Sequence, residues 1–199
     1  YLARGWNVLP LKAHDRRPMV EWAYLQKQYA TSQELKQWFD GTDNLVGVVT
    51  GSLSNLTVVD TDSEEATALF TERNHTHYLD HLAHTLPVRT RQGFHFYFEY
   101  EPGSRNFQKR KDLPGIDLRS QGGYVVAPPS IHPKSGKPYA WANDPATPLL
   151  QAPAWIFAKR ERAATVIDAV GKIPAGERHA HLFSIAGALR FRGVSEDII

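Results

Sequence analysis

One stretch, Gly93-Phe94-His95-Phe96-Tyr97-Phe98-Glu99, constrains the fold of this chain more than any other. Its phenylalanines recur at every second residue, a period that fits a β-strand with one buried face. Phe94, Phe96 and Phe98 therefore form a core stripe, and His95, Tyr97 and Glu99 share the opposite face. This makes His95 a half-buried polar residue aimed away from the core. A lone histidine there reads as structural; as a functional residue it would donate a hydrogen bond to a phosphate or a base. Residues 88–90 precede this strand and read as its hairpin partner, turning around Gly93.

A second stretch, Leu56-Thr57-Val58-Val59-Asp60-Thr61-Asp62, begins as a β-branched strand over residues 56–60. Alternation sends Asp60 and Asp62 to the same side at the strand's end. Two carboxylates so close repel unless a cation sits between them, and hard oxygen donors suit Mg²⁺ or Mn²⁺. The plainer alternative is a strand end with Asp62 capping the helix that starts at Ser63. Further on, in Ile116-Asp117-Leu118-Arg119, Ile116 and Leu118 face the core. Asp117 and Arg119 face the other way, adding a third carboxylate and a bidentate phosphate binder; read plainly, they are a surface ion pair of little energetic worth. In Gly122-Gly123-Tyr124-Val125-Val126-Ala127-Pro128-Pro129-Ser130, the glycines permit close backbone approach to a nucleotide, and the proline pair holds Ser130 in an extended segment.

The rest of the chain sets the fold class. Residues 6–9 read as a strand ended by Pro10, followed by a charged loop over residues 12–18. Thr31-Ser32-Gln33-Glu34 has the capping-box form, so a helix is expected to about Asp40 with Leu35, Trp38 and Phe39 on its apolar face. Residues 45–49 form another strand, joined to the next by a Gly51 turn. A helix from Ser63 through Phe70 is extended to about His84. Residues 116–119, 124–127 and 139–141 add short strands. This irregular alternation argues for an α+β or mixed α/β fold rather than an all-β one, and α+β is the class expected. The composition changes near Pro153, after which helices are expected over residues 154–170 and 177–192. The domains so read are residues 1–152, catalytic, and residues 153–199, a small all-α helical accessory subdomain.

Composition narrows the classes. The 199 residues carry a net charge of +2 and no cysteine, which excludes disulfides and cysteine-ligated zinc or iron–sulfur sites and fits a cytoplasmic location. No apolar run approaches the roughly 20 residues of a membrane span. The first residue is not Met, so a fragment of a longer protein is expected. Arg105, Lys109, Arg110 and Lys111 cluster in one polar loop, with Arg89 and Arg91 upstream; such a run is either a solvated loop or a patch for a polyanion. His75, His77, His81 and His84 form another cluster. On a helix, His77, His81 and His84 would share a face able to bind zinc, although a solvated face is the preferred reading.

Six stretches in order, over residues 4–142, resemble the bifunctional primase-polymerase (prim-pol) domain of the archaeo-eukaryotic primase superfamily. They are Gly5-Trp6-Asn7-Val8-Leu9-Pro10; residues 44–51 (NLVGVVTG); residues 58–62 (VVDTD); residues 93–98 (GFHFYF); residues 116–119 (IDLR); and residues 122–130 (GGYVVAPPS), with Tyr139-Ala140-Trp141 beyond. The resemblance implies an RRM-like catalytic sheet. It makes Asp60, Asp62 and Asp117 the acids that hold two Mg²⁺ or Mn²⁺ ions, and His95 the nucleotide-binding histidine. Arg119 and Ser130 look like triphosphate-side contacts. It further implies a single-stranded DNA template, nucleoside triphosphates (dNTP or NTP), a fused or associated helicase, and phage or plasmid replication. One departure is Gly93, where the wider superfamily often has Ser; a phosphate contact from that side chain is absent or supplied by backbone N–H. Two rivals stand beside this reading: a non-catalytic RRM-like nucleic-acid-binding module, and a two-metal nuclease using the same acids.

Overall fold

The computed structural model describes residues 1–75 and 85–158. The histidine face at residues 77–84 and nearly all of the expected C-terminal helices lie outside the described residues. The strands are β1 (Val8–Leu11), β2 (Leu45–Thr50), β3 (Leu56–Thr61), β4 (Leu86–Arg89), β5 (Phe94–Glu99), β6 (Ile116–Arg119), β7 (Gly123–Ala127), β8 (Ala140–Trp141) and β9 (Leu150–Gln151). The longer helices are α1 (Ser32–Phe39) and α2 (Glu64–His75). The fold is α+β, with one sheet ordered β1-β2-β7 and a larger one ordered β6-β3-β5-β4-β8. All these pairings are antiparallel; β9 alone runs parallel, beside the end of β5.

Local chemistry explains the helix starts. The Thr31 hydroxyl accepts the Glu34 N–H, and the Glu34 carboxylate accepts the Thr31 N–H, so the capping box at α1 is complete. Ser63 Oγ accepts the Ala66 N–H at 3.1 Å, which starts α2 just after the acid pair. Trp38 is buried, with Leu35 and Phe39 packed against the same core.

The larger sheet is covered on both faces. Val59, Phe96, Phe98, Ile116 and Leu118 pack against Ala66 and Phe70 of α2, together with Leu113 and Ile156. Leu56, Val58, Leu86, Val88 and Tyr97 face the other way, onto Val48, Val49 and Val125 of the smaller sheet, with Leu9 and Trp6. Fully burying each such side chain is worth about 1.5–3 kcal/mol.

This second layer corrects the reading of the aromatic strand. The face of β5 expected to be half-exposed is buried: His95 is 6% exposed and Tyr97 fully covered, the Tyr97 ring stacking on Trp6 at 5.4 Å. One strand's period could not reveal the sheet that covers it. β1 also differs, continuing through Pro10 to Leu11. The Pro10 carbonyl accepts from Met19 on the side away from β2, so its missing N–H falls on the open edge and interrupts no ladder.

Contacts group Tyr1–Phe157 into one compact unit and Ala158–Ile199 into another. The short helix Ala154–Phe157 contributes fully buried Ile156 to the first unit's core, and Trp155 lies 5.8 Å from Phe70. Among the described residues, no helix is long and apolar enough to cross a membrane.

Candidate active site

β3 lies between β5 and β6, and the register brings three polar side chains into one row. Asp60 is directly opposite His95 on one side and Asp117 on the other. All three point toward the smaller sheet, because Val59, Ile116, Leu118 and the phenylalanines occupy the α2 face. His95 Nε2 lies 3.4 Å from Asp60 Oδ1. Asp117 Oδ1 accepts the Lys109 N–H at 3.1 Å, and its Oδ2 accepts from Arg119 Nη2 at 3.2 Å.

Asp62 follows just after β3, its N–H donating to the Gly115 carbonyl at 2.9 Å. Its side chain is exposed at the rim. Partial burial, and then the charges of Asp60 and Asp117, raise its carboxyl above the ordinary range. Asp62 therefore feels the other two acids across the strand end. No group of three His, Cys, Asp or Glu side chains among the described residues converges into a metal cage. The donor set still suits a hard divalent cation: oxygen ligands only, mutually repelling, with one carboxylate at the open rim.

Asp60, His95 and Arg119 line a cleft of about 330 Å³ between the sheets, within the size range of small-ligand pockets. Burial lowers the His95 pKa most, with Asp60 opposing, so the ring is neutral near pH 7. Its Nδ1 is buried without a well-formed hydrogen bond. The turn into β7 and the strand itself line one part of the cleft. A Cβ on Gly123 would lie 2.7 Å from Asn106 Oδ1 and 2.8 Å from Thr50 Oγ1, so only bare backbone fits there, and Gly122 takes φ +80.

Arg16, Asn106 and Tyr139 also line the cleft; none was named as a site residue from the sequence, although Tyr139 stands in a stretch that carried the resemblance. Arg16 comes from the charged loop after β1 and sits 3.5 Å from the Tyr139 hydroxyl. Asn106 Oδ1 accepts the Ser120 N–H at 2.6 Å. The cluster at Arg105–Lys111 was the available signal for Asn106; nothing in its pattern marked which residue turns inward.

Two expected contacts sit elsewhere. Ser130 does not line this cleft but a separate hollow of about 400 Å³. Its hydroxyl accepts the Val46 N–H at 2.8 Å and reaches the Val46 carbonyl at 3.4 Å, joining the β7 end to β2. At Gly93 a Cβ would stand 1.9 Å from the Thr61 carbonyl oxygen, so no serine fits. The Gly93 N–H donates to Thr90 Oγ1 at 3.2 Å and is not offered to a phosphate. The RRM-like binding module also loses its main support. Its bases would stack on exposed sheet aromatics, whereas Phe96 and Phe98 are buried and Phe94 is partly buried under α2.

The family model described as bifunctional DNA primase/polymerase, N-terminal (Prim-Pol), matches residues 1–155. The chain belongs to that family. No curated protein matches it.

Proposed function

We propose that this member of the bifunctional DNA primase/polymerase family joins nucleotides on a single-stranded DNA template, making primers and extending them. The observation that carries the reading is the row Asp117–Asp60–His95, of which Asp60 and His95 line a cleft together with Arg16 and Arg119. A carboxylate and two guanidinium groups lining one cleft suit a metal-complexed triphosphate.

Asp60, Asp62 and Asp117 would hold two Mg²⁺ or Mn²⁺ ions, which when bound neutralise the triphosphate and lower the pKa of the attacking hydroxyl. Arg119 is held in place by Asp117 and, with Arg16, offers planar donors to the phosphates. The Gly122–Gly123 backbone lines the cleft, and the close packing of Asn106 and Thr50 leaves no room for a side chain at Gly123. Neutral His95 places Nε2 3.4 Å from Asp60 Oδ1, beside the proposed metal and nucleotide site. In the reaction the primer 3′-oxygen bonds to the α-phosphorus, and the bond from that phosphorus to the bridging oxygen breaks. Pyrophosphate leaves, and the hydroxyl proton passes to solvent. No covalent enzyme intermediate is required.

The α2-backed antiparallel sheet supports an RRM-like catalytic core of the archaeo-eukaryotic primase superfamily. Residues 153–199 as a helical accessory subdomain, an associated helicase, a cytoplasmic setting and replication of the phage or plasmid type belong to the same proposal. The test is template-directed synthesis with and without a primer, using each nucleotide type and each metal. Asp60→Asn and Asp62→Asn should abolish incorporation and leave melting intact. Arg119→Ala and His95→Ala should weaken triphosphate binding by about 1.5–3 kcal/mol, the range for hydrogen bonds to charged groups, and template binding far less. Near-normal extension by folded Asp60→Asn protein would overturn the assignment.

A further inference from the structure

A second hollow, of about 270 Å³, opens between the β4–β5 turn and the start of α2. Arg89, Arg91 and Lys137 line it with Thr67 and Phe94, and Glu64 is its one acid. All three cations are exposed, and none pairs with a carboxylate among the described residues. Arg89 lies over the Phe94 ring at 5.0 Å, which holds its guanidinium at the rim. Three cations against a single carboxylate, Glu64, favour an anionic ligand.

The position of this hollow says which anion. Thr67 Oγ1 lies 2.8 Å from Thr61 Oγ1, and Thr61 stands between Asp60 and Asp62. Phe94 is Thr61's register partner and precedes His95. The hollow thus backs onto the strand ends that carry the acids, yet it shares no lining residue with the Arg16–Arg119 cleft. Arg91 also helps depress the His132 pKa, after burial and Arg16, and the His132 ring packs 6.1 Å from Tyr139 of the cleft wall. In-line displacement needs the attacking and leaving oxygens on opposite sides of the transferred phosphorus. If the cleft holds the triphosphate, the reactant bearing the 3′-hydroxyl comes from another side.

We infer, resting on the function proposed above, that Arg89, Arg91 and Lys137 form a phosphate site for the reactant that carries the attacking 3′-hydroxyl. That phosphate belongs either to the primer's last phosphodiesters or to the triphosphate of the first nucleotide when a strand is started.

The test uses the whole chain with Arg91→Gln and Lys137→Gln combined, two exposed positions. Binding of labelled primed and unprimed templates is followed by anisotropy across a salt series. Affinity for primed template should fall roughly tenfold. The slope of log affinity against log salt should become shallower by about 1.4–1.8, the value for two lost phosphate contacts. Unprimed template and triphosphate with Mn²⁺ should bind as in the unaltered chain. A second arm compares dinucleotide synthesis begun with a nucleoside triphosphate or a monophosphate. If the double variant loses the triphosphate's advantage, the initiating nucleotide is the source; if only primer extension suffers, the primer backbone is. Unaltered primed-template binding together with an unaltered triphosphate preference overturns the inference. So does equal weakening of primed and unprimed templates, which would mark a template site. An unaltered chain that neither binds triphosphate nor extends primers would instead sink the function proposed above.

Discussion

Ser130→Ala separates two roles for one hydroxyl. The sequence resemblance points Ser130 toward the triphosphate; the structure ties it to β2. Ser130 is 5% exposed, and its Oγ takes the Val46 N–H at 2.8 Å. Meanwhile the Ser130 N–H donates to the Ala127 carbonyl at 3.1 Å, so the hydroxyl substitutes for a ladder rung at the end of β7. Alanine leaves the Val46 N–H without this acceptor, at a cost of about 1–3 kcal/mol. At roughly 2–4 °C per kcal/mol for a chain of this size, Tm should drop by about 2–12 °C. Thermal melting by circular dichroism reads that loss, and calorimetric titration of a nucleoside triphosphate with Mn²⁺ reads the other role. A latch lowers Tm and leaves nucleotide affinity unchanged. An unchanged Tm with tenfold weaker nucleotide binding would refute the reasoning.

Gly93→Ala should be among the most damaging single substitutions, because its Cβ would meet the Thr61 backbone oxygen at 1.9 Å and no flexible side chain can give way. A loss above about 3 kcal/mol is expected, and wild-type melting of the variant would show that the hairpin turn is looser than described. His132 supplies a pH dependence. Its Nδ1 accepts from Lys134 N and Ser135 N, each at 3.3 Å, and burial, then Arg16 and Arg91, lower its pKa. The unfolded chain therefore binds the proton more readily, and the neutral ring's contribution, present above about pH 6.5, is lost as pH falls. His132→Asn should flatten the decline in Tm between pH 7.5 and 5.5; parallel declines would count against the assignment.

What the sequence made legible was local. The Thr31–Glu34 box needs only four residues, and both of its bonds form. Alternation placed Asp60 and Asp117 on one side of their strands, since the pleat fixes sidedness whatever else is present. What stayed hidden depends on elements distant in sequence. His95 and Tyr97 are buried by a sheet whose strands lie outside their own segment. Arg16 and Tyr139 meet across the chain at 3.5 Å. Pro10 fits within β1 because that strand is an edge, a fact of neighbours rather than of composition.

The row Asp117–Asp60–His95 draws its three members from three strands joined at a single rung. A shift of β3 by one residue would turn Asp60 toward Phe70 and Phe96 and send Val59 into the cleft. Intermediate degrees of assembly are therefore not partly competent. A molecule with β3 shifted keeps Asp117 and His95 but lacks the carboxylate between them. Under the proposed function, activity lost through misregister would read as a smaller active fraction, whereas replacing a cleft residue such as Arg119 would weaken every molecule alike. Active-site titration distinguishes the two, and under the proposed function nucleotide incorporation would report sheet alignment.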